Sequence, residues 1–206
     1  MYLNCHSFHS LRYGTIPVEE LVKQASSYGV EDMALTDINT VTGIYEFIKL
    51  CNTAGIKPLV GMEFRWEHQL RYIALAKNAQ GLAEMNYFLT QHNFNDVALQ
   101  PSAPDFEHVF ILYPLENTPA VLKENEYIGI RPDQLQKLVL SDWKDRQSKM
   151  VVLQPVVFRT KREYNLHRIL RAVDLNELLS KLALDDFCKK TDLIIPPEQL
   201  FEFYKE

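Results

Sequence analysis

Asn4 and His6 stand two residues apart in Tyr2-Leu-Asn-Cys-His-Ser-Phe-His-Ser10, and in an extended strand such a pair projects to one side while Leu3 and Cys5 project to the other. Two imidazoles so placed would grip a divalent ion together. Here the first position holds an amide, a neutral and weak donor that cannot replace an imidazole on zinc, manganese or iron. Further along, charged groups fall at or near the limits of short apolar runs. Asp37 follows Asp32–Thr36, Glu63 lies in Lys57–Phe64, Arg71 is the second residue of Leu70–Ala76, and Lys161 and Glu163 follow Pro155–Phe158. Imidazole and carboxylate at strand ends are the donor chemistry of a metal site, and acid–base work by Asp37 or Glu63 would depend on the ion.

The elements that must hold these residues are legible from periodicity. Val18, Leu21, Val22 and Ala25 share one helical face that closes at Gly29, and Ile44, Tyr45, Ile48 and Cys51 share another that closes at Gly55. Further helices are expected from Gly81 to about Asn93, from Pro132 through Val139, and around Leu166, Ile169, Leu170 and Val173. Strands are expected at His108–Leu112, Tyr127–Ile130, Met150–Leu153 and Pro155–Phe158, besides the three runs above. Strands of four to seven residues alternating with helices of about a dozen predict an α/β chain with a mainly parallel sheet, long enough to curl into a barrel. In that architecture chemistry gathers where strands give way to loops.

Composition narrows the function classes. The 206 residues carry 22 Lys and Arg against 27 Asp and Glu, a net charge of −5, so no global field draws the chain to nucleic acid or anionic lipid. The 47% hydrophobic content supports one ordinary core. Three widely spaced cysteines, Cys5, Cys51 and Cys188, fit reduced thiols in a cytoplasmic protein, and with no Cys-x-x-Cys pair a structural zinc site is not expected. No apolar run of about 18 residues predicts a membrane span, and the start of the chain does not read as a secretory leader. Gly-rich phosphate loops, Ser-His-Asp arrangements and a nucleophilic cysteine signal are absent from the sequence.

Several segments together resemble one family. Leu3-Asn-Cys-His-Ser7 with Ser10 and Gly14, Glu20-Leu-Val22, Ala34-Leu-Thr-Asp37, Ala54-Gly-Ile-Lys-Pro58, Gly61-x-Glu63 and Leu75-Ala-Lys-Asn78 are similar to the PHP (polymerase and histidinol phosphatase) domain. More narrowly, they are similar to that of the alpha subunit of bacterial DNA polymerase III. Tyr127–Ile130, Gln154–Val157 and Leu166–Leu170 fit the same template more loosely. The resemblance implies a distorted (β/α)7 barrel, and in metal-binding members a cluster of three divalent ions that hydrolyses phosphoesters.

Carried over position by position, the resemblance implies that the ligand set is depleted. His6, Asp37 and Glu63 remain, whereas Asn4, Tyr13, Ile38, Arg71, Leu115, Lys161 and Glu163 occupy positions where metal ligands would stand. The expectation is therefore no catalytic residue and no metal cofactor. Arg71 and Lys161 are expected to replace the metal charge by pairing with Glu63 or Asp37. The chain is expected to be a single PHP domain spanning 1–206, the N-terminal part of a longer polymerase subunit. Its implied role is structural, its partners the remainder of that subunit and, in some members, a proofreading exonuclease subunit, with DNA met through the parent enzyme. The rival is a metal-dependent phosphoesterase or 3′–5′ exonuclease with a reduced site, holding Zn, Mn or Fe.

Overall fold

A computed structural model describes residues 1–205. Eight strands and six α-helices follow one another as β1 (Tyr2–Cys5), α1 (Val18–Ser27), β2 (Asp32–Leu35), α2 (Ile44–Ala54), β3 (Lys57–Trp66), β4 (Gln69–Ala76), α3 (Ala79–Asn95), β5 (Val109–Pro114), β6 (Glu126–Ile130), α4 (Leu135–Val139), β7 (Met150–Val152), β8 (Pro155–Val156), α5 (Lys161–Asp174) and α6 (Pro197–Glu202). They form one sheet in the order β7-β6-β5-β4-β3-β2-β1-β8. The two outer strands are separated by Leu153 and Gln154 alone. That single segment therefore bonds to β6 with its first half and to β1 with its second. The sheet comes round to meet itself, and counting the segment once gives seven staves.

One apolar cluster takes residues from every stave: Leu3, Ala34, Leu59, Ile73 and Leu75, Leu112, Tyr127, Val151 and Leu153. This is the filling of a distorted barrel, the architecture expected from the alternation of strand and helix. Five of the seven strand pairings are parallel, and β4 runs antiparallel to both neighbours. The departure has a local cause. Only Glu67 and His68 separate β3 from β4, far too few for a parallel crossover, and both sit at positive φ as a tight hairpin turn requires.

Helices cover the outside. Val18, Leu21, Val22 and Ala25 of α1 and Ile44, Phe47 and Cys51 of α2 pack on the outward residues Tyr2, Cys5, Met33 and Leu35, with Leu200 of α6. Met85 and Leu89 of α3 pack on Met62, Phe64, Tyr72, Ala74, Val109 and Ile111. No described helix is long and apolar enough to cross a membrane.

Two details depart from simple periodicity. In β1 the register slips, three residue steps from Tyr2 to Cys5 facing two from Met33 to Leu35. Leu3 therefore joins the barrel filling while Tyr2 and Cys5 both face the helices. In α5 the apolar repeat that marks the helix points outward. Leu166, Ile169 and Val173 are exposed, and Tyr164, His167, Arg171 and Ala172 are buried.

Candidate functional site at the barrel mouth

Loop 7–14 after β1 folds tightly over the end of the barrel, so tightly that a Cβ on Gly14 would lie 1.7 Å from the Ser7 carbonyl oxygen. The tightness brings Ser7 and Ser10 onto Asp37. The Ser7 N–H and hydroxyl donate to the Asp37 carboxylate at 2.7 Å each, and the Ser10 hydroxyl donates at 2.6 Å. Ser10 Oγ also accepts the Ile38 N–H at 3.1 Å. All three side chains are buried. Asp37 is thus a junction tying β1 to β2, with its oxygens already spoken for.

Glu63 lies next to it, joined through the backbone. Its N–H donates to the Asp37 carbonyl at 3.1 Å, and its carbonyl accepts from Asn39 N–H at 2.9 Å. The buried carboxylate accepts the Asn4 amide N–H at 2.8 Å on Oε2, where His6 Nε2 lies at 3.2 Å, and it pairs with Arg65 Nε through Oε1. Both ring nitrogens of His6 face acceptors, since Nδ1 lies 3.2 Å from Ser10 Oγ. Asn39 holds Arg65 in place, its side chain accepting the Arg65 N–H at 3.0 Å and donating to the Arg65 carbonyl at 2.8 Å. Burial by itself would raise the Glu63 carboxyl, but the Arg65 guanidinium, His6 and Asn4 outweigh it and hold the group well below the usual carboxylate range. Burial would likewise lower Arg65, and Glu63 beside it pushes it up instead.

Tyr13 closes the mouth from above. The Arg65 Cζ lies 4.2 Å from its ring centroid, the His6 ring meets it edge-on at 5.3 Å, and His167 of α5 at 4.6 Å. Burial pushes the Tyr13 hydroxyl up to about 12. His167 donates from Nδ1 to the Tyr13 carbonyl at 2.7 Å and accepts the Cys188 N–H on Nε2 at 2.9 Å, which fixes a neutral ring. Burial lowers its titration to about 4.

The residues named from the sequence divide into two groups. Asn4, His6, Tyr13, Ile38, Asp37 and Glu63 converge; Ile38 bridges to Glu63 in the backbone and packs against the Tyr13 cluster. The others scatter. Arg71 reaches Gln69 at 3.2 Å, so it does not neutralise Glu63. Lys161 is exposed at the start of α5 and forms no ion pair among the described residues, and Glu163 is taken by Arg159 at 2.6 Å. Leu115 is buried against Ile128 and Ile130. The expected pairing by Arg71 or Lys161 is therefore corrected. The cation beside Glu63 is Arg65, two residues on along the same strand and hence on the same face. That alternation was available in the sequence. His167 and Arg171 had no such signal, because the apolar spacing of α5 points the other way.

A cluster of divalent ions does not suit this donor set. Each ion needs about four to six donors, the oxygens of Glu63 and Asp37 are engaged by protein groups, and a fixed guanidinium sits among them. Among the described residues no three His, Cys, Asp or Glu side chains converge as metal ligands.

The PHP domain family model matches residues 3–116, and the chain belongs to that family. It is 40% identical over 63 residues to the DNA polymerase III subunit alpha of Aquifex aeolicus, covering 31% of this chain and 5% of the relative. Over 119 residues it is 32% identical to the corresponding Treponema pallidum subunit, covering 51% and 10%. Over 90 residues it is 32% identical to an error-prone DNA polymerase of Symbiobacterium thermophilum, covering 44% and 8%. The aligned region thus spans a tenth or less of these relatives' length. The chain is a PHP domain homologous to the PHP regions of DNA polymerase III alpha subunits.

Proposed function

We propose that residues 1–206 act as a single, metal-free PHP domain of a polymerase alpha-type chain, structural in role and without phosphoesterase activity of its own. The observation that carries this reading is the state of Glu63, whose carboxylate faces Asn4, His6 and Arg65 in place of ions. Arg65 supplies the positive charge that a metal would otherwise bring, and Tyr13 fills the space above it. The polar groups of the mouth are thereby engaged with one another. Its proposed partner is the remainder of such a polymerase chain, with DNA engaged by that larger enzyme. A proofreading exonuclease subunit is a second proposed partner, and the cytoplasm the proposed compartment.

The test is elemental analysis of the purified chain together with hydrolysis of a generic phosphodiester in the presence of Zn, Mn or Fe. The expected result is well under one metal per chain and no chelator-sensitive turnover. Two or three equivalents of tightly held metal, with hydrolysis abolished by chelation and by Glu63→Gln, would overturn the reading.

A further inference from the structure

The chain as a whole is acidic, yet one cavity at the strand-end face of the barrel is basic. It encloses about 460 Å³ between the segment after β8, the start of α5 and the loop before α6, with Arg159, Lys161, Arg168 and Lys190 in its wall and no acidic side chain. Arg159 is neutralised by Glu20 and Glu163. Lys161, Arg168 and Lys190 form no ion pair among the described residues. Arg168 lies with its Cζ 5.1 Å from the Phe187 ring centroid, and its Nε is withdrawn from solvent without a hydrogen-bond acceptor. A buried donor left unpaired is a costly state that asks for an explanation.

Lys161 and Arg162 are the first two residues of α5, where cations oppose the helix dipole. An anion in the cavity would offset the unpaired cations Lys161, Arg168 and Lys190 in its wall. The cavity also offers the Thr160 hydroxyl and the Asn165 amide, and its volume lies in the range of small-ligand sites. We propose that this cavity binds a phosphate group, carried by a free nucleotide or by a nucleic-acid strand. Arg168 and Lys190 contact the phosphate oxygens and Lys161 approaches from the helix start. The proposal stands independently of whether the mouth holds metal.

The test is a titration of the whole chain followed by amide chemical shifts at constant ionic strength, using inorganic phosphate, adenosine 5′-monophosphate and a short thymidine oligonucleotide as separate probes. Saturable shifts confined to residues 160–163, 168 and 190–191 are expected. Lys190→Glu and Lys161→Glu, both at exposed positions that should not disturb folding, are each expected to weaken binding at least fivefold, and Arg168→Gln about tenfold. Lys181→Glu, which alters an exposed lysine elsewhere, should leave binding unchanged. Stronger binding of the mononucleotide assigns the phosphate to a free nucleotide, and stronger binding of the oligonucleotide assigns it to a strand. Shifts that never saturate, or binding that survives both charge reversals, would overturn the site.

Discussion

The strand ends of β1–β3 and the strand ends further along the barrel began from the same expectation and have different fates. At β1–β3 the polar side chains stay buried and in contact, and every carboxylate oxygen has a protein partner. Further along, Leu115 has become core, Arg71 leans on a surface glutamine, and Glu163 serves a salt bridge between α5 and α1. Solvent explains the difference. A carboxylate that cannot reach water must be paired in place, so Asp37 and Glu63 require a whole shell of donors. Arg71 and Glu163 are only half-buried and carry less of that constraint, and Leu115 has no charge to pair.

Arg65 should therefore weigh far more than Arg71. Arg65→Ala leaves the buried Glu63 without its cation and is expected to cost about 3–5 kcal/mol in denaturant unfolding. Arg71→Ala should cost within about 0.5 kcal/mol. In the double variant Glu63→Gln/Arg65→Ala much of the loss should be recovered, a coupling of at least about 1 kcal/mol. Equal costs for the two arginines would remove the distinction between the regions.

Acid should separate the regions next. His167 titrates near 6.5 when unfolded and near 4 in the fold, so between those values the unfolded chain binds the extra proton. Stability is therefore expected to fall as pH drops from about 6.5 towards 4, by up to about 3 kcal/mol. Glu63 adds to the loss further down: its folded value is depressed, so its contribution is present above about 4.3 and disappears as pH falls below it. His167→Gln should flatten the upper part of the profile and leave the lower part. A wild-type profile flat from pH 7 to 4 would contradict the buried neutral ring.

How much of this was readable beforehand follows from the same contrast. Strand and helix alternation and the capping glycines depend on local residue types, so the α/β barrel and the strand-end residues His6, Asp37 and Glu63 were legible, while the ligand positions at Asn4 and elsewhere came only with the family resemblance. Arg65 was legible too, by counting two from Glu63. The slip in β1 was not, because Tyr2-Leu-Asn-Cys5 alternates no differently from an ordinary strand and only its pairing with β2 reveals the extra residue. Nor was the inward face of α5. A helix at a polar mouth buries His167 and Arg171 against Tyr13 and the Asp186 carbonyl, and nothing in its own periodicity announces that environment. The basic cavity escaped for a related reason, since its cations come from three separated stretches.

Within the β1–β3 group Ser10 gives a finer measure. Its hydroxyl donates to Asp37 Oδ1 and accepts from Ile38, so Ser10→Ala strands the Ile38 N–H and leaves that oxygen with the Ser7 N–H alone, an expected cost of about 2 kcal/mol. Ser10→Thr, which keeps the hydroxyl, should recover part of it if the bond rather than the volume matters. A cost below about 0.5 kcal/mol would mean that water reaches Asp37.

The smallest effect is expected where hydrophobicity alone would have forecast a large one. Ile169 and Val173 repeat at core spacing, yet they are 50% and 63% exposed. Ile169→Ser and Val173→Ser should shift the unfolding free energy by no more than about 0.5 kcal/mol each, while truncating a buried aliphatic such as Ile73 to Ala should cost about 2–5 kcal/mol. The ratio is the informative quantity, because it asks which side of α5 the barrel uses. If the two serine variants cost as much as Ile73→Ala, the helix is turned the other way. His167 would then leave the mouth, and Tyr13 would lose the group that pins it over Arg65 and Glu63.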